Sequence, residues 1–182
     1  MAPAQFLSVV LLASTAAAAT SHALPPLFNA PFTAYDLGTT RPRHVALADL
    51  TRDGLHEIVV AGDSAVHVFR NLEDGTFQEV ARHAIRGRLS SVAIGDCDAD
   101  GFADIVVGRE GSVTTISILY GRGDGTIEMQ QDIWVDWAPR WVALGDINRD
   151  TNLDIVVTIQ SGLQVLYGRG DRTFSPVYRA CA

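Results

Sequence analysis

The sequence contains no lysine: all 14 basic side chains are arginine, set against 21 acidic ones for a net charge of −7. Scattered arginines in an acidic chain make no basic face, which excludes a nucleic-acid binder. Cysteine is scarce, and Cys97 and Cys181 are too few for a disulfide scaffold or a cysteine-rich zinc module. No stretch sustains helical periodicity. Past residue 23 no apolar run is long enough to span a bilayer. Catalytic spacings are missing too: Gly62-Asp63-Ser64 lacks a nucleophile elbow, and His44, His56, His67 and His83 show no ligand pattern, so no enzyme is expected. What is present is 47% apolar residues over 182 positions, enough for one medium domain with a core and too hydrophobic for a disordered chain.

Residues 1–23 carry no Asp, Glu, Lys or Arg. Phe6 to Ala13 form an apolar run, an alanine stretch follows, and Ser21-His22-Ala23 puts small residues where a signal peptidase reads. The run is too short for a membrane anchor and contains serine, with threonine close behind. Only the amino terminus supplies the usual positive charge. The expectation is a signal peptide cleaved after Ala23, with Ala19 as second choice, leaving 159 of the 182 residues secreted. Extracellular space is the expected location, with periplasm or cell surface as alternatives.

Everything downstream is organised by a repeat. Residues 45–60, 92–107 and 142–157 align without gaps, and their leading aspartates Asp49, Asp96 and Asp146 lie 47 and 50 residues apart. A second element recurs 25, 28 and 25 residues further on, at Asp74-Gly75-Thr76, Asp124-Gly125-Thr126 and Asp171-Arg172-Thr173. The middle copy therefore carries three extra residues, around Gly111. Within each copy, 45–48 and 58–60 read as short, fully buried strands. The stretches 65–69, 116–119 and 163–166 alternate as half-buried strands. A turn then leads to a fourth strand such as 77–81. Four short strands in about 50 residues are the signature of a propeller blade. The fold class expected is all-β, a partial, open β-propeller of about three four-stranded blades at 45–91, 92–141 and 142–182. Residues 24–44 read as a linker plus, at 28–35, the outer strand of a preceding blade.

The aspartates fall in a register. Positions one, three, five and nine are Asp49, Thr51, Asp53 and Glu57 in loop one, Asp96, Asp98, Asp100 and Asp104 in loop two, and Asp146, Asn148, Asp150 and Asp154 in loop three. Alternate residues on a curled loop converge, and oxygen donors so arranged suit calcium, which takes six to eight. Position seven, at Leu55, Phe102 and Asn152, would add a backbone carbonyl. Without a cation, two carboxylates ~4 Å apart repel by ~4 kcal/mol at an effective dielectric of ~20. An EF-hand is excluded, because its twelfth position needs Glu and here holds Val60, Val107 and Val157.

With its Asp-x-[Asp/Asn]-x-Asp-Gly-x-x-Asp loop running into Ile-Val-Val, then Gly-x-Gly-Asp-Gly-Thr, the chain resembles the VCBS/FG-GAP repeat family. These are the calcium-binding propeller blades of integrin α heads and many secreted microbial proteins, and the resemblance covers residues 28–182. It implies calcium in the loop between the first two strands of each blade, held by the residues just named. Up to three structural ions are expected, cancelling six of the seven net negative charges. Copy two matches fully and is expected to bind best. Copy one substitutes Thr51 and Glu57, and copy three places Thr151 where the loop wants glycine, a strained choice at positive φ.

Arg122-Gly123-Asp124 and Arg169-Gly170-Asp171 spell an integrin-recognised tripeptide but sit in the repeat's own turn, where Gly and Asp serve the backbone. Trp134, Trp137 and Trp141 either stack on a sugar or fill the space between blades. The expected function is a binding or adhesion module for an extracellular protein or glycan. The alternative is a non-catalytic or truncated part of a secreted polysaccharide-degrading enzyme. A closed propeller needs at least four blades. The chain is therefore expected to be part of a longer propeller, with a homo-oligomer that closes the ring as the alternative.

Overall fold

Valine and isoleucine runs alternate with Asp- and Gly-rich turns three times over, and each round folds into one four-stranded antiparallel sheet. The computed structural model describes residues 8–9, 32–110, 115–160, 162–175 and 178–179. The signal segment, apart from Ser8–Val9, lies outside them, as do the insertion at Gly111 and Cys181. Among the described residues every regular element is a strand, and no helix is long and apolar enough to cross a membrane.

Strand β1 (Ser8–Val9) pairs in parallel with β2 (Phe32–Thr33). Sheet one holds β3 (Pro42–Ala48), β4 (Glu57–Gly62), β5 (Ala65–Asn71) and β6 (Phe77–Ala84). Sheet two holds β7 (Arg88–Gly95), β8 (Asp104–Glu110), β9 (Thr115–Gly121) and β10 (Ile127–Trp134). Sheet three holds β11 (Trp141–Gly145), β12 (Asp154–Ile159), β13 (Gly162–Leu166) and the two-residue β14 (Tyr178–Arg179). Each sheet is a simple meander in chain order. The first-to-second loops and the third-to-fourth turns therefore share one end of the molecule. The hairpins between second and third strands share the other end with the sheet-to-sheet connections.

The core lies between sheets rather than within any one of them. Val59, Val66 and Val68 of sheet one meet Leu89, Ile105 and Leu119 of sheet two. Val106, Ile116 and Ile118 on the opposite face of sheet two meet Val142, Ile155 and Leu166 of sheet three. Polar contacts cross the same seams: Ser91 Oγ accepts from Val142 N at 2.9 Å, and His83 Nε2 lies 2.9 Å from Gln130 Oε1.

Two burial expectations need correction. The run 45–48 is not fully buried: Ala46 and Ala48 face inward while Val45 and Leu47 are exposed, because no sheet is stacked before sheet one among the described residues. Conversely, β9 is buried along its whole length and β5 from Ala65 to Phe69, since both faces of these strands are covered. The cover over β5 comes partly from Tyr35 and Leu37, which pack on Ile58, Val60, Phe69 and Phe77. Of the stretch 28–35 expected as an outer strand, residues 28–31 lie outside the described residues, and among the rest Phe32–Thr33 pairs as a strand. Beyond it, Tyr35 Oη accepts from Phe77 N at 2.8 Å.

Candidate metal centre

The acidic loops share one hydrogen-bond skeleton. At position one, a carboxylate oxygen accepts from the amide of position six: Asp49 from Gly54 (2.9 Å), Asp96 from Gly101 (2.8 Å) and Asp146 from Thr151 (3.0 Å). At position five, Asp53, Asp100 and Asp150 accept from Leu55, Phe102 and Asn152 at 2.9, 2.7 and 2.9 Å. The acid at position nine reaches back to position two: Glu57 to Leu50, Asp104 to Cys97 and Asp154 to Ile147, at 2.8, 2.8 and 2.9 Å. Asp104 and Asp154 also brace the third strand's end, accepting from Gly121 and Gly168 at 2.9 and 3.0 Å. The fixed spacing thus supplies acceptors for amides that a tight loop would otherwise leave unpaired.

Left-handed backbone occurs twice per loop. Position six has φ of +85° at Gly54, +90° at Gly101 and +76° at Thr151, so the strain read from Thr151 is real. Position four is left-handed as well, at Arg52, Ala99 and Arg149 with φ of +60°, +59° and +65°. None of these is glycine, so composition carried no sign of it.

Side-chain convergence differs between loops. In loop two, Asp96, Asp98 and Asp104 each bring a carboxylate oxygen within 4.8 Å of the others, the only such trio of acid, His or Cys donors among the described residues. Calcium bonds of ~2.3–2.6 Å place opposite ligands ~5 Å apart, so this spacing accommodates the ion. Asp96 Oδ1 is buried without a hydrogen-bond partner, and in loop one so is Glu57 Oε1. Both are acceptors with nothing to accept from, at positions where the register calls for ligands. Burial first, and then the neighbouring Asp98 and Asp100 carboxylates, push the Asp104 carboxyl up to about 6. Burial, with Asp104, Asp96 and Asp98 beside it, pushes the Cys97 thiol up as well, so it is not a reactive thiolate. Loop three turns inward on itself. Asn148 Nδ2 donates to Asp150 Oδ2 at 2.8 Å, Asp146 Oδ1 accepts from the amides of Arg149 and Asp150, and residues 146–151 are exposed.

Loop two also holds a residue that motif spacing missed. Arg172 Nε donates to Asp98 Oδ2 at 2.6 Å, and its Nη2 to Glu128 Oε2 at 2.8 Å. Its guanidinium lies over the Tyr120 ring at 4.5 Å, and its own ionisation is pushed further up by the bonds to Asp98 and Glu128. The visible signal was a departure from the repeat. The other two copies have Gly75 and Gly125 here at φ +84° and +85°, whereas Arg172 takes φ +65°. From loop one, Arg52 covers Phe102 at 4.9 Å.

The remaining signals resolve into local structure. Asp124 Oδ1 accepts from the amide and hydroxyl of Thr126 at 2.8 and 2.6 Å, so the Arg-Gly-Asp tripeptide there is turn chemistry, and Asp171 does the same with Thr173. His67 is buried, with Nδ1 2.7 Å from Glu79 Oε1. Trp134, Trp137 and Trp141 are all exposed and fill no space between sheets; that space is filled by Val135 and Val142. The Trp141 ring meets that of His44, edge to face at 5.5 Å.

No curated protein matches this sequence. A profile of the FG-GAP-like repeat matches residues 49–107 and again 96–157, each match running from the first aspartate of one loop to the Val-Val of the next copy's second strand. Together these matches span more than half of the chain, which belongs to the FG-GAP-like repeat family.

Proposed function

We propose that the chain is a secreted β-propeller module, stabilised by calcium, that binds an extracellular protein or glycan. The observation that carries the calcium reading is loop two: three carboxylates within 4.8 Å and a buried Asp96 oxygen with no donor. Asp96, Asp98, Asp100 and Asp104, with the Phe102 carbonyl, would hold the ion there. Asp49, Thr51, Asp53 and Glu57, with the Leu55 carbonyl, would hold a second in loop one. Loop three offers Asp146, Asn148, Asp150, Asn152 and Asp154, but Asn148 turns to Asp150 and the loop is exposed from Asp146 to Thr151, which supports weaker binding. The role is structural. Bound calcium supplies positive charge that relieves carboxylate repulsion and ties the end of each first strand to the start of the second. Arg172 supplies part of that charge already, so calcium in loop two competes with a guanidinium for Asp98.

A binding role is supported by the exposure of loop three from Asp146 to Thr151 and by the employment of the loop acids as backbone braces rather than as a reactive pair. Affinity in the ~10⁻⁴–10⁻³ M range is usual for extracellular calcium modules. Calorimetric titration with calcium, alongside melting curves with and without EDTA, tests the first part. Heat of binding and a chelator-lowered melting temperature are expected, and identical curves would sink it. A glycan array run beside a polysaccharide-degradation assay tests the second. Captured glycan without turnover supports a binding module, and turnover that survives loss of the loop aspartates overturns it.

A further inference from the structure

The two outer faces of the three-sheet stack carry residues that the inner seams bury. On sheet one, Val45 and Leu47 are 62% and 63% exposed. Their counterparts one repeat on, Val92 and Ile94, pack into the seam with sheet one, and two repeats on Val142 and Leu144 pack into the seam with sheet two. Val142 is 2% exposed. Each of these pairs is the contact its sheet makes with the sheet before it, and among the described residues sheet one has no such neighbour.

The far face of sheet three shows the converse. The register pairs Val156 with Val165 and Thr158 with Leu163. In sheet two the same places hold Val106 with Ile118 and Gly108 with Ile116, and in sheet one Val59 with Val68 and Ala61 with Val66. The valines and isoleucines of these pairs are buried against the sheet that follows. In sheet three Leu163 is 41% exposed, and Val156 and Val165 are only partly covered. One end of the stack is therefore shaped to receive a following face, and the other end is such a face.

We propose that the occupant of both faces is a second copy of this chain, docked head to tail so that the Val45–Leu47 face of each protomer meets the Val156–Leu163–Val165 face of its partner. This contact continues the interface already formed twice inside the chain. Head-to-tail contacts close into rings when the rotation permits. Among the described residues each copy holds three such sheets, so two copies bring together six, within the usual four to eight blades. The outer part of sheet one's face is already served by Tyr35 and Leu37, much as Ile133 and Val135 serve the seam between sheets two and three. What sheet one lacks among the described residues is the body of a preceding blade, and the inference rests on the propeller arrangement proposed above.

The test is the mass of the secreted chain by light scattering, with Leu47→Arg and Leu163→Arg beside it. Both residues are already exposed, so each variant should keep its strand circular dichroism and its melting response to calcium. That response separates loss of the dimer from failure of the metal reading. The expected result is a dimer for the parent and a monomer for each variant, with the dimer dissociation constant raised at least 100-fold. Loss of the dimer in only one variant would mean like faces meet, and overturns the head-to-tail ring. A single copy in solution, at this length or with further blades, overturns the proposal outright.

Discussion

Loops two and three are near copies in sequence, yet one gathers its carboxylates and the other spreads them. Both keep the same brace, with the position-nine acid holding two amides and the position-one acid holding a third. They differ in what surrounds them. Loop two is covered by Arg52 from loop one and gripped by Arg172 from sheet three's outer turn. Loop three stands at the last sheet of the stack, exposed from Asp146 to Thr151. There Asn148 finds a partner inside the loop, where Asp98 finds one across a seam. Backbone geometry is thus local property of the register, whereas convergence of the ligands depends on neighbours.

The largest effect should fall on what the loops share. Asp104→Ala and Asp154→Ala each strand two amides, at ~1–3 kcal/mol apiece if buried, so both should lose ~2–6 kcal/mol by urea denaturation. A much smaller loss for Asp154→Ala would show that the brace too depends on cover. Next comes what the loops do not share. A site filled to about a hundred times its dissociation constant adds ~2.7 kcal/mol, which at ~2–4 °C per kcal/mol for a chain of this size is a rise of ~5–10 °C. Asp96→Asn should remove most of that calcium-dependent rise and Asp146→Asn little of it. Equal losses would erase the distinction between the loops.

Arg172→Gly probes the grip directly. It restores the glycine of the other two copies and relieves left-handed strain of ~1–2 kcal/mol, against loss of a partly exposed ion pair worth about as much or less. Stability without calcium should change by no more than ~1 kcal/mol, while calorimetry should show several-fold tighter calcium binding. Unchanged affinity would mean that the guanidinium does not compete. The smallest effect is expected of Thr151→Gly, which removes strain at φ +76° but adds chain entropy. A gain of ~0.5–1 kcal/mol in the melting analysis is expected. The reverse change, Gly101→Thr, should destabilise by ~1–2 kcal/mol, since it puts a β-branched residue at φ +90°.

Much of this was legible beforehand because a repeat amplifies weak local signals. The strand runs 58–60 and 105–107, the Asp-Gly-Thr turns and the strain at Thr151 all follow from residue type and spacing. Arg172 was legible only as a departure, an arginine where two copies carry glycine, and nothing local says that it reaches Asp98 of the preceding repeat. The left-handed Arg52, Ala99 and Arg149 were invisible, because the hydrogen bonds of the loop, not the side chain, impose that backbone.

By itself the sequence determined the three-fold register, the four strands per repeat and the amide brace of each loop, since all depend on contacts between residues close along the chain. The tertiary structure alone decided which copies of an identical pattern are buried. Val45 and Val142 occupy the same repeat position, yet stacking leaves one open and covers the other, because burial of a strand's second face needs a neighbouring sheet. It likewise decided that loop two draws its ligands together, because charge from Arg172, 74 residues away, reaches Asp98 only once sheets two and three have packed.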